Sequence, residues 1–238
     1  MSHLFFRRAI DDIKMTTVQE NISRVKAKLP SNVTLVAVSK TKPVDVILEA
    51  YESGQRIFGE NKVQEIVSKR DLLPNDIQWH QIGHLQSNKV KYIAPFISLI
   101  HSVDSLKLLN VINENAKKCD RVIDCLLQFH IAEEETKFGF SYDEAVALLS
   151  SKEYGKMSNV RICGVMGMAT YTDDTEQIRK EFRNLHSYFV KLKQDFFSDS
   201  DYFKEISMGM SSDYMIAVEE GSTMVRVGSE IFGRRVYA

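Results

Sequence analysis

The chain has 238 residues, enough for one large α/β domain or two small ones with a sizeable core. Its 31 basic and 32 acidic residues nearly cancel, which argues against a nucleic acid or an anionic membrane surface as the main partner. Cys119, Cys125 and Cys163 are odd in number and lack CxxC spacing, so they read as reduced thiols of a cytoplasmic protein rather than a disulfide or zinc framework.

The first ten residues hold only a three-residue apolar patch, Leu4 to Phe6, before Arg7 and Arg8. That is too short for a signal-peptide core, and no stretch approaches the length of a membrane span. Ile10, Ile13, Val18, Ile22, Val25 and Leu29 then recur at helical spacing, predicting an extra amino-terminal helix at about residues 9–29 that Pro30 stops.

Short apolar runs follow at residues 33–39, 56–58, 77–82, 96–102, 122–131, 160–166, 205–208 and 224–227. Amphipathic patterns separate most of them, at 43–53, 62–70, 87–92, 105–117, 142–150, 175–196 and 213–219. Alternating strands and helices with strands apolar on both faces imply a parallel sheet covered by helices. Eight units at this length predict an α/β fold, a single (β/α)8 TIM-like barrel over about residues 33–233. An open doubly wound sheet is the alternative, although no GxGxxG follows any strand. With four prolines, eleven glycines and no linker-like stretch, residues 1–238 read as one domain.

In such a barrel the functional groups gather at the carboxyl ends of the strands. Lys40 ends the first run, where an amine can hold an aldehyde cofactor as a Schiff base. After the last two runs come residues 207–213 (SMGMSSD) and 225–229 (VRVGS). Ser211 opens a predicted helix, Gly228 allows close backbone approach, and Arg226 supplies charge: equipment for gripping a phosphate monoester. A helix cap and a surface ion pair are the plain alternatives for the same residues. An aldehyde and a phosphate on one cofactor describe pyridoxal 5'-phosphate (PLP). Asn61, after the second run, either lines that site or caps a helix. His80 sits within an apolar run and reads as a hydrogen-bonded core residue before a base or ligand. His80, His84 and His101 fall on different strands without metal-site spacing, so no metal is expected. Tyr171, Asp173 and Asp174 are lid candidates, and Glu133 to Glu135 read as a solvated loop edge.

Several longer stretches carry a resemblance: residues 37–43 (AVSKTKP), 58–65 (FGENKVQE), 79–89 (WHQIGHLQSNK), 101–105 (HSVDS), 164–166 (GVM), 207–211 (SMGMS), 221–228 (GSTMVRVG) and 231–233 (IFG). In order and in register, they resemble the motifs of the PLP homeostasis proteins, whose fold is similar to the amino-terminal barrel of alanine racemase. The resemblance implies a PLP barrel of fold type III with Lys40 as the Schiff-base lysine. It also implies Ser207, Ser211, Arg226 and Gly228 as phosphate contacts and Asn61 as a residue lining the site. Gln81, where an aromatic or aliphatic residue is more usual, and the tail at 234–238 depart from the pattern.

The family implies a carrier or buffer of PLP with no established turnover and no catalytic residues, expected as a cytoplasmic monomer that hands PLP to recipient apoenzymes. An amino-acid racemase is the alternative. A two-base racemase needs a proton donor on each face of the cofactor, and in alanine racemase the second comes from a further domain for which few residues follow the eighth run here. Tyr171 and His80 are the internal candidates for that base. A barrel that binds some other phosphorylated metabolite, with Lys40 as a charge contact, is the third reading.

Overall fold

The computed structural model describes residues 16–133 and 138–233. The first part of the expected amino-terminal helix, Glu134 and Glu135 of the loop edge, and the tail at 234–238 lie outside the described residues. Eight parallel strands close into a barrel in sequence order: β1 (Thr34–Val38), β2 (Ile57–Glu60), β3 (Gln78–Gln81), β4 (Leu99–Val103), β5 (Ile123–Phe129), β6 (Val160–Gly167), β7 (Glu205–Ser207) and β8 (Met224–Val227). Closure is made by β8 against β1, with Val36 opposite Arg226 and Ala37 opposite Val227. The expected (β/α)8 barrel is the observed one.

Around it run α1 (Thr17–Lys28), α2 (Val44–Glu52), α3 (Val63–Arg70), α4 (Val90–Ile93), α5 (Leu106–Lys118), α6 (Tyr142–Leu149), α7 (Thr175–Phe196), α8 (Tyr214–Glu219) and α9 (Ser229–Phe232). Reciprocal bonds between Thr16 and Gln19 set the start of α1. Its buried Ile22 and Val25 face the core, and the Asn21 amide donates to the Ile231 carbonyl of α9. Asp174, a lid candidate from sequence, caps α7 by accepting from the amides of Glu176 and Gln177. The four-residue α9 was not anticipated, being barely one helical turn and too short for an apolar pattern to repeat.

Apolar residues form two separate clusters. The larger, with Ala37, Phe58, Ile100, Leu127, Val165 and Val225, lies between sheet and helices. The smaller fills the lumen with Val36, Leu99, Leu126, Cys163, Met166 and Met224. Strand β6 switches parity. Cys125 pairs with Ile162 but Leu126 with Gly164, so Cys163 is an extra residue in a β-bulge. The bulge turns both Cys163 and Met166 into the lumen cluster, although they are an odd number of residues apart. Gly164 takes φ +154° there, and a Cβ on it would stand 1.8 Å from the Glu205 carbonyl oxygen.

Strand ends differ from expectation by up to three residues, and at two strands the shift matters. Strand β4 begins at Leu99 rather than 96 and runs through Val103, which moves His101 from a strand end into its middle. Strand β2 extends to Glu60, so Gly59 and Glu60 belong to the sheet and not to the following loop. In both cases a polar residue was taken to mark a strand end, yet buried polar side chains are accommodated once bonded. His101 is bonded by Ser207 and His80 in the lumen, and Glu60 by Ser39 and Lys69 on the helix side of the sheet.

Candidate functional site

Lys40 is half-buried, two residues beyond the end of β1. Its neighbour Thr41 is held at φ +66°, a left-handed conformation uncommon for a β-branched residue. The ammonium of Lys42, the other lysine of the loop, donates to the carbonyls of Phe232 at 2.7 Å and Gly233 at 3.3 Å, at the end of α9. Closure of the barrel brings the loop after β8 alongside. A Cβ on Gly228 would meet both the Cβ and the carbonyl oxygen of Val38 at 3.2 Å, so this glycine lies against the last residue of β1.

The loop after β7 joins the same mouth. The Gly228 amide donates to the Ser211 hydroxyl at 3.1 Å. The expected helix start at Ser211 is not observed. Helix α8 begins at Tyr214, and Asp213 turns back to accept from the Met210 amide at 2.5 Å. Ser211 therefore sits in a loop crosslinked to Gly228. Gly209 makes that loop possible with φ +95°, where a Cβ would strike Ala217 at 2.6 Å and Tyr214 at 2.9 Å.

Asn61 follows β2 directly and is half-buried. It is not the residue preceding α3, which is Lys62, so the helix-cap alternative fails. Its backbone carbonyl accepts from the Gln81 side chain at 2.9 Å, and Gly83 packs so close that a Cβ there would stand 2.7 Å from that oxygen. Gln81 thus ties the loops after β2 and β3 together, a use for the amide that an aliphatic residue would not have.

Ser207 and Arg226 also come together, but deeper. Both are buried, and Arg226 Nη1 donates to the Ser207 hydroxyl at 2.6 Å while Nη2 donates to the Gly167 carbonyl at 3.1 Å. The second bond runs from β8 to β6, strands that are not neighbours, so it crosses the lumen. His101 Nδ1 lies 2.9 Å from the same hydroxyl, again across the lumen, and His101 Nε2 lies 3.0 Å from His80 Nδ1.

The chemistry of the donors assigns this chain of contacts. Arginine can only donate, so Ser207 accepts from it and directs its own proton to His101 Nδ1. His101 then carries its proton on Nε2 and donates to His80 Nδ1. Burial supports neutral rings. It drives His80 down to about 3 and His101 well below the ordinary histidine value, with His80 and Arg226 pressing further on His101. Burial also lowers Arg226 to about 10, which leaves it charged near neutrality. His80 is therefore a bonded core histidine. It borders a cavity of about 360 Å³ lined at the strand starts by Gln78, Asp124, Arg161 and Glu205, at the opposite end of the barrel from Lys40.

Sequence reasoning missed a second buried polar group beneath the Lys40 loop. Glu60 accepts from the Ser39 hydroxyl at 2.7 Å and from Lys69 at 2.8 Å, and Lys69 also reaches Glu65 at 3.0 Å. Burial outweighs the attraction of Lys69 and raises the Glu60 carboxyl to about 7. The signal was present, since Lys69 stands three residues beyond Ile66 and six beyond Val63, on the apolar face of α3. Among the other candidates, Tyr171 is 89% exposed, and His84 stacks on Phe138 and contacts Asp104 at the surface. No group of three or more potential ligands for a metal ion occurs among the described residues.

Fold and mouth together define a parallel (β/α)8 barrel with a half-buried lysine after its first strand and crosslinked glycine–serine loops after its last two. Residues 13–236 match the family described as the alanine racemase amino-terminal domain. The pyridoxal phosphate homeostasis protein of Aquifex aeolicus is 38% identical over 205 residues, covering 85% of this chain and 87% of its own. PipY of Synechococcus elongatus, solved with PLP bound, superposes with a TM-score of 0.83 at 35% identity, over 91% of this chain and all of PipY. An alanine racemase of Clostridium difficile shares the fold at a TM-score of 0.73 with 16% identity, over 93% of this chain and 57% of the racemase. The chain belongs to the pyridoxal phosphate homeostasis protein family.

Proposed function

We propose that this protein binds PLP at the carboxyl mouth of the barrel through Lys40 and serves in PLP homeostasis as a carrier and buffer without turnover of its own. The observation that carries the reading is the closure of the barrel. It lays Gly228, bonded to Ser211, against Val38, two residues before the half-buried Lys40. When bound, PLP supplies a reactive aldehyde that an amine can hold.

The residues present fit such a group. Gly228 packs its backbone against Val38 as only a residue without a side chain can do comfortably, and Ser211 and the Gly228 amide already meet at one point. In this reading these two hold the phosphate, Asn61 lines the side of the site, and Ser207 and Arg226 form its floor. An arginine floor offers donors and no carboxylate, so a ring nitrogen facing it stays unprotonated and the ring is a weak electron sink. Two relatives at 35% identity or more point the same way, one by its name and one by its bound PLP.

Two further observations favour the carrier over a racemase. His80 is neutral, enclosed and bonded to His101 at the far end of the lumen, and Tyr171 points largely into solvent. Neither is placed as a second base. The protein works as one domain over residues 1–238 and as a cytoplasmic monomer, releasing PLP to recipient apoenzymes. Among the described residues no helix is long and apolar enough to cross a membrane.

The test is an absorbance spectrum of the purified protein before and after borohydride, followed by peptide mapping. Visible absorbance lost on reduction, with the label on Lys40 and absent from Lys40→Ala, is the expected result. A label on Lys42, or phosphate-ester binding without any visible band, would sink the proposal.

A further inference from the structure

Lys69 is a buried lysine on the apolar face of α3, and its three N–H donors have three acceptors: the Ser39 carbonyl at 3.1 Å, Glu60 Oε1 at 2.8 Å and Glu65 Oε2 at 3.0 Å. Two of these lead straight to Lys40. The Ser39 carbonyl belongs to the residue before it. The amide of the residue after it, Thr41, donates to the same Glu65 oxygen at 2.6 Å. The Ser39 hydroxyl is taken by Glu60, whose other oxygen has no hydrogen-bond partner among the described residues. The backbone on both sides of Lys40 is thus bonded to a single ion cluster.

Such a cluster is a poor choice for stability alone. Taking charges out of water costs much of what their attraction returns, and an apolar group on this face would pack as well. Thr41 is also held in a left-handed conformation, which persists only where the surroundings over-determine it. A costly cluster and a strained residue, both spent on the peptide flanking one lysine, make sense if the direction of that lysine matters.

We propose that Lys69 and Glu65, seated on Glu60, are positioning residues that clamp the backbone on either side of Lys40 and so aim its amine at the mouth of the barrel. The inference rests on the reading of Lys40 as the PLP lysine. Loss of the clamp leaves the loops after β7 and β8 intact, so the phosphate grip and the covalent attachment should separate. Displacing a reacting group by about 1 Å can cost on the order of a hundredfold in rate.

The experiment mixes PLP with ligand-free wild type, Lys69→Met, Glu65→Ala, Glu65→Gln and the surface control Gln64→Ala. It measures total bound PLP by dialysis and, separately, the rate at which borohydride-stable label appears on Lys40. Lys69→Met and Glu65→Ala should slow labelling by about tenfold to a hundredfold at near-normal occupancy. Glu65→Gln, which keeps an acceptor for the Thr41 amide, should recover most of the rate, and Gln64→Ala should match wild type. If Lys69→Met fails to fold, the half-buried Glu65 pair carries the test. Equal labelling rates in all variants overturn the clamp, as does a parallel loss of occupancy, rate and melting temperature, the mark of a merely structural role. Wild type labelled elsewhere than on Lys40 overturns the functional reading and the clamp together.

Discussion

The Arg226 guanidinium and the Ser207 hydroxyl, on adjacent strands, are joined at 2.6 Å inside the lumen, with His101 completing the contact from the opposite wall. Two residues that sequence motifs assign to a phosphate grip are thereby bound to each other one layer below the Ser211–Gly228 contact. The mouth has a polar floor as well as a polar rim.

Arg226→Gln therefore removes a charged donor from the floor without disturbing the rim. Hydrogen bonds to charged groups are worth roughly 1.5–3 kcal/mol, so PLP affinity should fall by about one to two orders of magnitude. A titration followed by visible absorbance measures it, with pyridoxal lacking the phosphate as the companion ligand. Pyridoxal should bind much less well than PLP to both proteins, because the rim is intact in both. Equal affinity for pyridoxal and PLP would show that Ser211 and Gly228 do not grip a phosphate.

The bulge on β6 supplies a stability test independent of any ligand. Gly164→Ala places a methyl group 1.8 Å from the Glu205 carbonyl oxygen, a backbone atom that cannot swing aside, at a φ that L-residues rarely adopt. The loss should exceed about 3 kcal/mol, at the severe end for a single substitution. Urea unfolding compared with Gly155→Ala, where an added Cβ meets nothing within 4 Å, gives the contrast. A Gly164→Ala protein as stable as the control would mean that β6 and β7 do not approach as described.

Much of this was readable in the sequence. All eight strands and the 22-residue α7 follow from apolar runs and helical periodicity, because each buries a continuous face that leaves a repeating pattern. Lys40 was conspicuous as a charge closing an apolar run. What escaped notice was polar and buried. His101, Glu60 and Lys69 each occupy a position that pattern reading reserves for apolar residues or assigns to a loop, and each is tolerated through partners far away in the chain. The Ser207–His101 contact spans 106 residues, and nothing local announces it.

Those buried groups also shape the dependence of stability on pH. His80 and His101 resist protonation when folded but take it up near 6.5 when unfolded, so their contribution is present above 6.5 and lost as pH falls below it, for His80 through the window down to about 3. Glu60, acted on by Lys69 and Glu65, has the opposite sign. Its carboxyl is raised from 4.5 to about 7, so its contribution is present below 4.5 and lost as pH rises to 7. Between 4.5 and 6.5 two imidazoles oppose one carboxyl. Stability should fall by about 1 kcal/mol for each unit of acidification in that window, with a maximum near pH 6.5. Urea midpoints measured across the range test this, and His80→Asn, which leaves one imidazole against one carboxyl, should flatten the slope. A wild-type slope of opposite sign would mean that the histidines are charged in the folded protein.

Absence of turnover is the most exposed prediction. Racemisation requires a proton to leave one face of the substrate and arrive on the other, so a second base must stand across the ring from Lys40. His80 is engaged with His101 at the far end of the lumen, and its low proton affinity makes it a poor base near neutrality. Tyr171, 89% exposed, lacks the enclosure that holds a general acid in place. In the proposed site, an arginine floor would further reduce the ability of the ring to take up electrons. The holoprotein incubated with single L-amino acids in deuterated water should therefore show negligible exchange at the Cα–H by NMR, while still passing PLP slowly to a recipient apoenzyme. Rapid exchange with inversion, abolished by Lys40→Ala and reduced by Tyr171→Phe, would replace the carrier with a racemase and make Tyr171 its second base.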